Sequence, residues 1–350
     1  MRIGLTSVAA GLAVALFAAG CSSSAESDEA GSSSQPTLKV VTGSPAVGHG
    51  LYYVAKNEGL FEKNGLNVEQ VSGGASNASA LLVSGRADVW VGATPVALPL
   101  AAQGKHVSVV FGSSTAGLTG STLIGANGMT LDALKDKGSD CRIATTSPGT
   151  TLYGWLVEVT KSVGLKCDYA VMDNLPALTA SVTNGSADAA VTLADQAWMV
   201  TEKGQAVMLI NPLAMTAEER DDLVPMKPFP LGAMLGIRED LSGKSEAVAR
   251  YTKALRDAAE IVHNSTPEQL AEILKRDPDF ASGDAESMAV AWADLKTRTP
   301  SGPAAGQITE ADWQEAVEGI KGWGLTGFSS DDPKLAYSEV VDMTYLNGAS

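Results

Sequence analysis

The sequence predicts an α/β protein built as two similar lobes that face a cleft. Three observations point there. Strand and helix signals alternate from Leu38 to Ile237, which favours layered sheets with helices on their faces. The stretch 80–110 recurs as 180–210 at a constant offset of 100, so that Ala80/Ala180, Gly85/Gly185, Ala87/Ala187, Asp88/Asp188, Val91/Val191, Ala97/Ala197, Gly104/Gly204 and Val107/Val207 coincide. After Gly243 the pattern turns helical to the end. Each copy of the repeat reads alike: a helix ends on Gly, an Ala-Asp pair turns the chain, and a short apolar strand follows. A polar turn then opens a helix, and a second apolar strand begins after Gly104 or Gly204. This is one β-α-β unit used twice.

The first twenty residues are not part of the fold. Arg2 precedes an apolar stretch, Ile3–Ala19, and the small residues Ala18-Ala19-Gly20 lead into Cys21. This is the layout of a secretory signal. The terminal Cys makes it resemble a bacterial lipobox, which implies cleavage after residue 20, a lipid on Cys21 and an extracytoplasmic position at the cell membrane. An ordinary signal peptide with an incidental Cys, or a short membrane span, are the alternatives. Residues 21–37, rich in Ser and acidic groups, read as a tether.

In the body, Leu38–Thr42 is a strand broken by Gly43-Ser44-Pro45, and a helix starts near His49. Val68–Val71 is a strand, and Gly73–Asn77 a loop into the helix that ends at Gly85. The first repeat copy closes on Val107–Phe111, and the chain then crosses to Ser121–Ile124. Thr130 caps a short helix. Cys141–Ala144 is a strand, and Ser147–Thr151 is a sharp loop before a helix with Leu152, Trp155, Leu156, Val159 and Val163 on one face, ended by Gly164. Tyr169–Met172 and the second repeat copy follow. Met215–Pro230 reads as irregular, and Ala233–Ile237 as a strand that returns to the first lobe. The tail is expected to hold helices over 246–262, 267–275, 284–297, 309–321 and 332–345, with Thr309 and Asp312 forming a capping box. The lobes are thus 38–118 with 239–350, and 119–238, and alternation argues for parallel sheets.

At 350 residues the chain can bury large cores. A formal net charge of −15 argues against binding a phosphate backbone, so no nucleic-acid partner is expected. In parallel sheets ligands sit where strand ends enter helix starts. Five loops fit: 43–49, 73–77, 92–95, 147–151 and 194–196. None carries Lys or Arg. Short hydroxyls there leave backbone N–H groups for a polar or anionic ligand, or else simply cap helices. His49 is a possible donor and Asp195 a possible acceptor. Asp88 and Asp188 precede strands and are expected as turn residues away from the cleft. Cys141 and Cys167 each precede a strand; on neighbouring strands they would lie side by side and form a disulfide, the alternative being two buried thiols. His49, His106 and His263 are scattered, and neither a Cys-x-x-Cys pair nor a phosphate-loop motif occurs, so no metal and no cofactor are expected.

Residues 50–95, GLYYVAKNEGLFEKNGLNVEQVSGGASNASALLVSGRADVWVGATP, resemble the substrate-binding proteins of nitrate/sulfonate/taurine-type ABC importers, a family that also includes binders of thiamine-pyrimidine precursors. Tyr53–Glu69 and Ala80–Gly92 carry the likeness most closely, and it extends to about Leu241. It implies a periplasmic-binding-protein fold, with two α/β lobes joined by two crossing strands and a helical C-terminal tail. It also implies a monomer that is no enzyme, binding a small polar or anionic, sulfonate-like solute and delivering it to ABC permease subunits. The positions that match the family's ligand loops are Ser44, Pro45, Ser76, Thr94, Thr150, Thr151 and Asp195, to which His49 and Ser147 are added as loop neighbours. Where the family often has an aromatic after the first strand, Ala46–His49 stands here, and Asp195-Gln196 replaces its Glu-Pro. The alternatives are an enzyme related to pyrimidine synthase, or a sensing module for a membrane receptor.

Overall fold

Among the described residues, ten strands form two five-stranded sheets of the same design. The structure is a computed structural model. It describes residues 35–350 except 44, 116–119, 173, 225–228, 282, 322, 324–328 and 349–350, and not the side chains of 75, 76 and 217. The expected signal, Cys21 and most of the tether lie outside the described residues. Residues 35–350 make one compact unit. Among the described residues no helix is long and apolar enough to cross a membrane.

The first sheet uses β1 (Thr37–Thr42), β2 (Asn67–Val71), β3 (Val89–Ala93), β4 (Val107–Thr115) and β10 (Pro230–Ile237). The second uses β5 (Ser121–Ala126), β6 (Arg142–Thr145), β7 (Asp168–Val171), β8 (Ala189–Leu193) and β9 (Ala206–Ile210). In the first sheet the order is β2-β1-β3-β10-β4, and in the second β7-β6-β8-β5-β9. The repeat is therefore structural: β3 and β8 hold the same central place, and β4 and β9 the same edge.

The sheets are mixed rather than all parallel. β10 runs antiparallel to β3 and β4, and β5 antiparallel to β8 and β9. The crossings explain this. β4 ends at the cleft edge, so β5 starts at that edge and must run away from it. β10 does the same after β9, and it lies wholly within the first sheet, so the chain has returned by Pro230.

Asp88 and Asp188 do the same work in the two halves. Asp88 accepts from the Lys39 backbone N–H at 2.7 Å, and Asp188 from that of Arg142 at 2.9 Å. Each thus fixes the start of the neighbouring strand, far from the cleft, and each also meets a lysine, Lys244 at 2.7 Å and Lys137 at 2.7 Å. At the same end Arg142 is in register with Asp168, which sets Cys141 and Cys167 side by side with Cα atoms 4.7 Å apart.

The first half's core takes in the tail helices. Helix Ser245–Asn264 buries Val248, Tyr251, Leu255, Ala259 and Val262, the face its spacing predicts. Thr309 and Asp312 form their capping box on Glu310–Ile320. Two expectations differ. Residues 332–345 are not one helix. Pro333 and the side-chain turns of Asp332 and Asp342 break it into short pieces, and Val341 bridges beside Val109 of β4 instead. The stretch 215–230 is not all irregular: Ala217–Leu223 is a helix, started by a capping box between Thr216 and Glu219. That Thr-x-x-Glu signal stands in the sequence.

Candidate ligand-binding site

The carboxyl ends of the parallel strands in both sheets meet around a cavity of about 210 Å³. From the first half come Gly43 after β1, Trp90, Gly92 and Pro95 around β3, and Leu231 of β10. From the second come Ser121, Thr146 to Thr151 in part, Asn174 and Leu193. The tail adds Leu295 and Arg298.

Two glycines shape the wall because rings lie on them. A Cβ on Gly43 would stand 2.3 Å from the His49 ring, and one on Gly92 2.1 Å from the Trp90 indole. His49 and Trp90 meet edge to face, centroids 6.3 Å apart. Trp90 reaches the cavity from within β3 and is only 2% exposed.

Of the residues expected from sequence, His49, Thr150 and Thr151 line this cavity. The Thr150 hydroxyl is heavily engaged. It donates to the Ser147 carbonyl at 2.9 Å, caps the helix Thr151–Val163 by accepting from Tyr153 N–H at 3.4 Å, and also meets the Thr146 hydroxyl. Ser147 contributes that carbonyl and does not itself line the cavity; Pro45 is half-buried nearby and does not line it either. Thr94 is fully buried and turns the other way. Its hydroxyl lies 2.7 Å from the Pro230 carbonyl and 3.1 Å from that of Leu231, pinning the end of β3 to β10. Ser44 and the Ser76 side chain lie outside the described residues.

Asp195 sits one layer deeper. It is 5% exposed and borders a smaller adjoining space of about 40 Å³ with Val47, Asp294 and Arg298. Burial pushes its carboxyl above the usual range, although hydrogen bonds from Gln196 and from the Val47 backbone N–H pull the other way. The Val47 bond joins the two halves, and Ala46 beside it is buried in the second half's core.

The loops carry no cation, but the tail supplies one. Arg298, the last residue of helix Ala285–Arg298, reaches the cavity from 183 residues beyond Thr115, whose carbonyl it bonds at 3.0 Å. Its charge is already matched by Asp294, at 2.6 and 3.0 Å. No loop pattern could reveal it, because only the packing of the tail brings it there. Trp90 could have been found, since it shares a strand face with Gly92 two residues on. No Lys lines the cavity among the described residues, and none of their His, Cys, Asp and Glu side chains gather in threes to hold a metal ion.

Comparisons agree with this architecture. Three solved structures are similar in fold. One is a ligand-binding component of an ABC-type import system from Staphylococcus aureus with zinc bound (16% identity, TM-score 0.69, 90% of this chain and 99% of that one). Another is the periplasmic nitrate-binding protein of Synechocystis PCC 6803 (16% identity, TM-score 0.68, 90% and 88%). A third is a Candida albicans protein described as having the generic periplasmic binding protein fold (16% identity, TM-score 0.61, 88% and 97%). No curated protein matches the sequence. Residues 46–216, which include both repeat copies and most of the cavity wall, match the family described as NMT1/THI5 like. That stretch is similar to this family, and the chain has the periplasmic-binding-protein fold.

Proposed function

We propose that this protein is a lipid-anchored, extracytoplasmic receptor that captures a small organic solute between its two halves and delivers it to an ABC permease. One observation carries this: the cavity is walled by both sheets at once, so a solute there holds the halves together. The similarity to an import component and to a nitrate-binding protein supports it. An acidic body on a tether behind Cys21 suits a protein that works as a monomer beside a membrane. In an oxidising compartment Cys141 and Cys167, side by side at strand starts, form a disulfide.

The enzyme alternative needs a Lys in the cavity that could hold a cofactor, and no Lys is among the described lining residues. A sensing module would use the same cavity and differ only in its partner.

Thermal unfolding of the full-length protein against a panel of small solutes tests the receptor function. A solute at about 1,000 times its dissociation constant should add roughly 4 kcal/mol. Steady turnover of a solute that gives no stabilisation would contradict it. Labelling with a lipid precursor tests the anchor, which Cys21→Ala should abolish.

A further inference from the structure

The loop after β1 belongs to the first half by sequence but is held by the second. Ala46 is fully buried in the second half's core. The Val47 backbone N–H, at the start of the short helix Val47–His49, donates to the Asp195 carboxyl. Asp195 stands in the first turn of helix Ala194–Thr201, directly after β8 of the second half. The loop that it holds carries Gly48 and His49, and both line the cavity. Asp195 does not line it. One carboxyl therefore ties the second half to a wall supplied by the first, without meeting the solute.

The surroundings of that carboxyl are dry. It is 5% exposed and borders the space of about 40 Å³ with Gly120, Leu193 and Leu213. The other charged groups that border this space, among the described residues, are Asp294 and Arg298 of helix Ala285–Arg298, which bond each other at 2.6 and 3.0 Å. The loop's own titratable side chain, His49, lies against Gly43 and Trp90. Burial outweighs the hydrogen bonds that Asp195 accepts and favours its protonated form. Parting the halves breaks the Val47 bond and brings the carboxyl to water, where it is ionised above about pH 4. Closure at a higher pH must then bind a proton or bury a charge.

Given the receptor function, we propose that Asp195 is a positioning residue rather than a solute contact: it latches loop 46–49 to the second half, and closure of the halves takes up a proton. The advantage of the closed form is fully present below about pH 4 and is lost as the pH rises through the raised value of the latched carboxyl. Capture tightens as the medium turns acidic.

Double electron–electron resonance on the full-length protein without solute tests this. Spin labels go on Glu62→Cys and Asp136→Cys, exposed positions at the ends of the two halves away from the cavity. The population at the distance of this structure should grow, relative to the rest, by at least about threefold from pH 7 to about pH 4.5, and by no more than about tenfold per pH unit, the limit for one proton. Asp195→Asn keeps an acceptor for the Val47 N–H but binds no proton, so at pH 7 it should exceed the parent in that population and show no shift with pH. Should that variant not fold, the parent's series decides, and His49→Gln should keep the shift. No shift in the parent, a shift that vanishes in His49→Gln, or the same shift in Asp195→Asn would each overturn the proposal. No solute is used, so each of these results leaves the receptor function to the thermal panel.

Discussion

Trp323 packs on Gly154 so closely that a Cβ there would lie 2.0 Å from the indole ring. Gly154 is in helix Thr151–Val163 of the second half, whereas Trp323 belongs to the first half's core and also meets Phe229 at 6.1 Å. The contact spans the two halves, three residues along the helix from Thr151, which lines the cavity.

Gly154→Ala should therefore oppose the approach of the halves without harming the helix, since Ala favours helix by about 1 kcal/mol over Gly. Overpacking of this kind costs about 1–3 kcal/mol. Solute affinity should fall roughly tenfold or more, while the circular dichroism of the free protein stays the same. Unchanged affinity in a titration would show that this contact does not matter for capture.

Asp195 gives the pH dependence. Its carboxyl is raised in the folded protein, chiefly by burial. The folded state therefore keeps a proton that the unfolded chain loses above about pH 4. Its contribution is fully present below that value and is lost as pH rises through the raised folded value. Asp195→Asn keeps an acceptor for the Val47 N–H and removes the charge. Its melting temperature should exceed that of the unaltered protein at pH 7, and the difference should vanish near pH 4. Asp195→Ala loses the acceptor and should cost about 1–3 kcal/mol at either pH. Parallel melting curves of Asn variant and parent across this range would contradict the assignment.

The two repeat aspartates should differ in worth. Asp88 is 6% exposed at its side chain and Asp188 20%, with the same kinds of partner. Asp88→Ala removes a buried carboxylate and leaves the Lys39 N–H without its acceptor, and should cost about 2–3 kcal/mol; Asp188→Ala should cost about 1 kcal/mol. Burial pushes the Asp188 carboxyl up, but bonds from Lys137 and the Arg142 N–H outweigh it and hold it below its usual value. Its contribution is therefore present above about pH 4 and is lost as the pH falls through that lowered value. Chemical denaturation of both variants at pH 7 checks the ranking, and equal losses would refute it.

Much of this was legible in the sequence. The repeat located β3 and β8, because Gly85 and Gly185 end helices and Asp88 and Asp188 precede strands, a local pattern that survives duplication. The loop after β6 was legible too, since Ser147–Thr151 can only be a turn into a helix. What was hidden is long-range. The antiparallel placement of β10 follows from where the chain crosses, not from its residues. Arg298 reaches the cavity and Trp323 reaches Gly154 from the tail, where their spacing marks them only as helix-borne or core side chains. Thr94 matched a ligand loop, yet β10 offered its hydroxyl two carbonyls first.

Joining Cys141 to Cys167 closes a loop of 26 residues. In the chain-entropy account such a closure is worth about 3–4 kcal/mol. Replacing both by Ser should lower stability by about that amount in the absence of reductant, and reductant should bring the parent down to the same level. Alkylation of both thiols in the unreduced parent would rule the bridge out.

Capture of one solute between the halves is tested most directly at Gly48, which lines the cavity and where a Cβ meets nothing within 4 Å. Native mass spectrometry of the full-length protein, with the solute that stabilises it, reads the stoichiometry. One solute per chain, recovered unchanged, with Gly48→Trp binding none while melting at the parent temperature, is the predicted result. Binding undiminished in Gly48→Trp, or recovery of a converted product, would contradict it.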